Sequence, residues 1–142
     1  VFNSVPVTTT ANSAANLFIS STGSENITVR NNISNNGGFG LNVIGGTTKA
    51  NSGLGVLVEN NVVNNAFTEA IAVAGFRNVS VIGNTVNHTD STNTTTYYGF
   101  EGNVIYGTNI IRNNVFTLDL RNVTNGYGLR LLTTDTAGTT DR

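Results

Sequence analysis

Two glutamates, Glu69 and Glu101, stand just before or at the start of the same short sequence pattern in successive repeats. Glycoside hydrolysis needs such a carboxyl pair, held about 5–9.5 Å apart. Their alignment is offset by one position, which on a strand aims them at opposite faces, so they converge only if Glu69 lies in a turn. Arg30, Glu59 and Arg112 form a second candidate group, spaced to fall in one outward column. Arg30 and Glu59 could grip an acidic sugar; the plainer reading is an exposed cross-strand ion pair contributing about 0.2–1 kcal/mol. His88 is the lone histidine. With Asp90 it could act as a general base, or it could be a solvated loop residue.

The insertion Ser91-Thr92-Asn93-Thr94-Thr95-Thr96-Tyr97-Tyr98 sets two aromatic rings beside hydroxyls and an amide. Tyr97, Tyr98 and Asn93 are therefore candidate sugar contacts, because a sugar offers apolar ring faces and hydrogen-bonding edges. The competing reading packs the tyrosine pair back onto the fold. Six Asn residues lie in glycan-acceptor motifs (Asn26, Asn32, Asn78, Asn87, Asn93 and Asn122), close to the number that the Asn, Ser and Thr content yields by chance. They count as acceptors only if the chain passes a glycosylating secretory route.

Composition removes several classes. The 142 residues carry seven basic and eight acidic groups, a formal charge of −1, so no electrostatic footprint for nucleic acid is expected. No stretch approaches the roughly 20 apolar residues of a membrane helix. Absence of Cys excludes disulfides, thiolate zinc and a cysteine nucleophile. Asp119 stands alone between two leucines, and calcium wants several oxygen ligands, so neither a metal nor a cofactor is expected. Leu, Ile, Val and Phe make 41 residues, 29%, above the roughly 20% below which chains stay disordered. There is material for one core.

What must position these groups is a β-rich repeat. Val, Ile and Thr total 47 residues against 18 for Ala and Leu, and β-branched side chains suit a pleated surface better than a helix. One pattern occurs four times: Val29-Arg30-Asn31-Asn32-Ile33, Val58-Glu59-Asn60-Asn61-Val62, Ile82-Gly83-Asn84-Thr85-Val86 and Ile111-Arg112-Asn113-Asn114-Val115. Its central Asn residues, 31, 60, 84 and 113, are 29, 24 and 29 apart. A second pattern follows each time: Gly40-Leu41-Asn42-Val43-Ile44, Ala70-Ile71-Ala72-Val73-Ala74, Glu101-Gly102-Asn103-Val104-Ile105 and Gly128-Leu129-Arg130-Leu131-Leu132.

Units of this length with short strands and no helix are single turns of a parallel β-solenoid. Equivalent residues then stack about 4.8 Å apart, and Asn31, Asn60, Asn84 and Asn113 are expected to form an internal amide ladder. The period of two turns Val29/Ile33, Val58/Val62, Ile82/Val86 and Ile111/Val115 inward, and Arg30/Asn32, Glu59/Asn61, Gly83/Thr85 and Arg112/Asn114 toward solvent.

The stretches Ile27-Thr28-Val29-Arg30-Asn31-Asn32-Ile33 and Asn78-Val79-Ser80-Val81-Ile82-Gly83-Asn84-Thr85-Val86 resemble coils of the right-handed parallel β-helix repeats of the pectin-lyase-like superfamily, including NosD-like carbohydrate-associated repeats. The resemblance covers about residues 26–132. It implies an all-β, single-stranded right-handed parallel β-helix, here of about five coils with an internal Asn ladder, the hand agreeing with the rule for parallel crossovers. The family holds lyases, hydrolases, epimerases, tailspikes and adhesins. Its polysaccharide lyases imply clustered acidic calcium ligands with a Lys or Arg base. This chain departs from that, with one lysine, Lys49, in a polar loop and no acidic cluster.

The expected organisation is a degenerate coil or edge over 1–25, repeats over 26–132 and a tail over 133–142. Val5–Ser24 supplies the degenerate coil, with Leu17-Phe18-Ile19 as its strand. The chain starts at Val1 without Met, as after removal of a leader or within a longer protein. Ile44, Ala74, Ile105 and Leu132 align at an outward position, an apolar column suited to lateral or end-to-end self-association. The functional expectation is a secreted or surface-exposed, polysaccharide-binding β-helix segment. A lyase- or hydrolase-type enzyme and a coil-on-coil filament or adhesin are the alternatives.

Overall fold

The computed structural model describes residues 1–89 and 95–132. Three strands make each turn. The first full turn is β3 (Glu25–Arg30), β4 (Ile33–Asn35) and β5 (Phe39–Ile44); the second is β6 (Gly53–Glu59), β7 (Val62–Asn64) and β8 (Glu69–Ala74). The third is β9 (Phe76–Ile82), β10 (Thr85–His88) and β11 (Thr96–Asn103), and the fourth is β12 (Ile110–Arg112), β13 (Val115–Leu118) and β14 (Asn125–Leu132). Two earlier strands, β1 (Phe2–Asn3) and β2 (Ala15–Ser20), extend two of the sheets.

Corresponding strands pair in parallel to build three sheets. Sheet A runs β1-β4-β7-β10-β13, sheet B runs β2-β5-β8-β11-β14 and sheet C runs β3-β6-β9-β12. The molecule is an all-β parallel solenoid of about four turns, not five. The N-terminal segment contributes strands to sheets A and B, but no described strand precedes β3 in sheet C, so its turn stays incomplete.

Inward columns of branched side chains fill the interior. Val29, Val58 and Val81 stack in sheet C, Val63 and Val86 in sheet A, and Leu41, Ile71 and Phe100 in sheet B, all buried. Among the described residues the columns are least covered in the last turn: Leu129 and Leu131 are 43% and 45% exposed, whereas Leu41 and Val43 are 0%.

Side chains of Asn32, Asn61, Asn84 and Asn114 form the internal ladder, one position later than expected in three of the four turns. Asn32 Nδ2 donates to Asn61 Oδ1 (3.1 Å), Asn61 Nδ2 to Asn84 Oδ1 (3.0 Å) and Asn84 Nδ2 to Asn114 Oδ1 (2.9 Å). Each receiving oxygen also accepts the backbone N–H of the donor residue, from Asn32, Asn61 and Asn84 in turn. The positions expected to form the ladder are corners instead. Asn31, Asn60 and Asn113 have φ of 57°, 53° and 56°, and Gly83 takes the equivalent place at 67°. Asn and Gly are the residues that tolerate this left-handed backbone.

The strand register explains the shift. Arg30, Glu59, Ile82 and Arg112 are aligned, so the third turn lags the sequence pattern by one. Beyond the corner the faces change accordingly. Ile33 and Val115 are exposed and Val62 is half-buried, not inward; Ser34, Val63 and Val86 take the interior. Asn61 is buried rather than solvent-facing, as a rung of the ladder must be.

A second amide ladder runs along the outer side of sheet A and was not foreseen. Asn35 Nδ2 donates to Asn3 Oδ1 (2.6 Å), Asn64 to Asn35 (2.7 Å) and Asn87 to Asn64 (2.9 Å).

Candidate functional site

The outer side of sheet B carries the groups with chemical potential. Its register aligns Phe39, Glu69, Tyr98 and Tyr127 in one column, and Asn42, Ala72, Glu101 and Arg130 in another. Glu101 is therefore two strand positions beyond the place given by the repeat pattern. The third copy of that pattern is Gly99-Phe100-Glu101-Gly102-Asn103, with Phe100 inward between Ile71 and Leu129.

This realignment removes the expected opposition of the two glutamates. Glu69 and Glu101 lie on the same side of sheet B, and their carboxyl groups are hydrogen-bonded to each other. Burial, the neighbouring Glu101 charge and that hydrogen bond push the Glu69 carboxyl up to about 8, against a smaller opposing pull from Arg130. At neutral pH Glu69 holds its proton. Arg130 Nη1 approaches Glu101 Oε1 at 3.6 Å and donates to the Tyr98 hydroxyl. Its guanidinium also lies 4.8 Å from the Tyr98 ring centroid, and Tyr98 stacks on Tyr127 at 5.5 Å.

Two adjoining cavities open beside these groups and share Phe39 and Glu69. One, of about 180 Å³, is lined by Asn12, Asn42, Ile44, Ala74, Glu101 and Asn103 among others; the second, of about 260 Å³, by Thr10, Thr68, Thr95, Thr96 and Tyr98. The N-terminal segment forms one wall, fixed by a 2.9 Å bond from Asn42 Nδ2 to Asn12 Oδ1. The result is a trough lined by hydroxyls, amides, the rings of Phe39 and Tyr98, and the two carboxyls.

Other expected site residues lie elsewhere. Arg30, Glu59 and Arg112 belong to sheet C, on a different side of the solenoid from Glu69 and Glu101. Tyr97 is fully buried, because it alternates with outward Tyr98, and its ring stacks on the buried His88 at 4.0 Å. It offers no surface to a ligand. His88 is likewise inside the solenoid rather than in a solvated loop. Asn93 and Asp90 lie outside the described residues, as does the tail 133–142. Asp119 pairs with Arg121 at 2.6 Å, whose hydrogen bonds hold its carboxyl down to about 2. Lys49 opens a short 3₁₀ turn, Lys49–Asn51, remote in sequence from both carboxyls.

The apolar outward column is also revised. Ile105 is buried in the core, and Asn103 takes its place beside Ile44, Ala74 and Leu132. Ile44 and Ala74 line the trough. Of the acceptor-motif asparagines, Asn32 has its amide committed to Asn61 and the Arg30 carbonyl, and Asn87 donates to Asn64. Asn26, Asn78 and Asn122 are exposed.

Sequence reasoning missed Phe39 and Arg130. A signal existed, since an aromatic residue precedes the second pattern in three turns. A scan of family models, a search of curated proteins and a search of solved structures each returned no match for this chain.

Proposed function

We propose that the protein binds a polysaccharide chain along the outer side of sheet B, outside the cell or on its surface. The observation supporting this is the trough itself, where a hydrogen-bonded carboxyl pair, amides and threonine hydroxyls converge beside Phe39. Polar groups beside aromatic rings suit a ligand with C–H faces and hydroxyl edges. The stacked coils, like the carbohydrate-associated repeats the sequence resembles, give such a polymer an extended track.

Binding is favoured over hydrolysis. A glycosidase sets its two carboxyls to work on opposite sides of the scissile bond, whereas Glu69 and Glu101 act on each other as neighbours, Glu101 helping to hold the proton on Glu69. The test is affinity electrophoresis through gels containing individual polysaccharides, with wild type beside Glu69→Ala and Tyr98→Ala. Retarded migration of wild type that both substitutions abolish is the expected result. Retardation unchanged by either would remove the trough from the binding site.

A further inference from the structure

The charges around the trough are already matched among themselves. Its walls contribute Glu69 and Glu101, and among the described residues the cation that reaches them is Arg130. That guanidinium is engaged on three sides: Glu101 at 3.6 Å, the Tyr98 hydroxyl, and the face of the Tyr98 ring. An arriving sugar carboxylate would have to displace Glu101 from Arg130, and in doing so would leave that acid half-desolvated beside Glu69. Like charges juxtaposed in a partly buried site strongly disfavour the wrong partner.

We propose that the trough is selective for uncharged glycans and rejects uronate-containing ones, with Arg130 serving as a positioning residue for the carboxyl pair. This rests on the polysaccharide-binding reading above and adds the class of sugar. Glu69 keeps its proton at neutral pH, so the pair presents one hydroxyl donor and several acceptor lone pairs, which complements a sugar hydroxyl that both donates and accepts. The groups facing the pair are Arg130, Tyr98 and Tyr127 from the neighbouring strands, and the uncharged Asn12, Phe39 and Asn42 from the N-terminal wall and β5. None supplies a second cation. Arg30 and Arg112, the cations that could have gripped an acidic sugar, are on sheet C.

The experiment uses the whole chain and a panel of neutral oligosaccharides (gluco-, xylo-, manno-, galacto- and chito-series) beside galacturonate and mannuronate oligomers of equal length, titrated calorimetrically at pH 6.5. Wild type is expected to bind a neutral member and to bind each uronate at least about tenfold more weakly. Glu101→Gln, which keeps the shape and frees Arg130, is expected to raise the ratio of uronate to neutral affinity by about tenfold or more, whatever it does to neutral binding itself. Thermal unfolding of the variant confirms that it is folded, and Glu101→Gln/Arg130→Gln should lose the gained uronate binding. Uronate binding by wild type equal to or above the neutral series overturns the selectivity while sparing the trough as a glycan site. Absence of binding to every member overturns both.

Discussion

Asn61 donates its side-chain N–H to Asn84 Oδ1 at 3.0 Å, across only 23 residues of chain, while the flanking rungs span 29 and 30. The third turn is shortened without breaking the file, because Gly83 takes the left-handed corner held by Asn60 in the turn before. Ladder and corner are therefore separate jobs assigned to adjacent positions.

Substitution should expose that division. Asn84→Ala removes the oxygen that accepts both the backbone and the side-chain N–H of Asn61, in a site 1% exposed. A loss of about 2–4 kcal/mol is expected, since buried donors are left unpaired. Asn60→Gly, at a φ of 53°, should cost less than about 1 kcal/mol. Urea denaturation of the two variants measures the difference; equal losses would contradict the ladder's role.

Val104 occupies the corner that follows Asn103, where the second turn has Gly75 after Ala74, and has a φ of 54°. A β-branched residue in this region is strained by roughly 1–2 kcal/mol. Val104→Gly should relieve it and raise the melting temperature, with a gain of up to about 1 kcal/mol after the extra freedom of glycine in the unfolded chain. A lower melting temperature would contradict the strain.

Glu69 sets a pH dependence of known sign. Its carboxyl titrates at about 8 when folded against 4.5 for the free group, so the folded chain binds the extra proton between those values. Stability is full below about 4.5, declines as pH rises toward 8, and levels off above it. Glu69→Gln should flatten that decline in denaturation midpoints measured across the range. A wild-type profile rising from pH 5 to 8 to the same extent in both proteins would refute the assignment.

The Tyr97 hydroxyl is buried with no hydrogen-bond partner among the described residues. Tyr97→Phe keeps the ring on His88 and removes the unpaired group, so stability should be unchanged or higher by up to about 1 kcal/mol. Tyr97→Ala should cost about 3–5 kcal/mol by leaving a cavity. Calorimetric unfolding separates the two, and a large loss in the Phe variant would reveal a partner for the hydroxyl.

The solenoid was legible because β-branched pairs and Asn doublets recur in a fixed order, but two recurring patterns did not reveal that each turn has three strands. Choosing the ladder position within Asn31-Asn32 was harder, since either residue fits the same spacing. The deciding signal was Gly83: a column that includes glycine cannot be an amide file, but it can be a left-handed corner. The pairing of Glu69 with Glu101 was hidden for a related reason. Glu101-Gly102-Asn103-Val104-Ile105 imitates the second pattern two residues late, while the true copy begins at Gly99, where Phe100 replaces an aliphatic residue. Nothing local marks the N-terminal wall, because Thr10 and Asn12 reach the trough only through the coiling of the chain.

The exposure of Leu129 and Leu131 has a kinetic counterpart. Strands mainly touch their counterparts one turn away, so each turn is supported by its immediate neighbours alone. Among the described residues, β6 and β9 have a paired strand on each side, whereas β12 and β14 have one on a single side. Amide protons of β6 and β9, each paired on both sides, should consequently exchange with deuterium more slowly than those of β12 and β14.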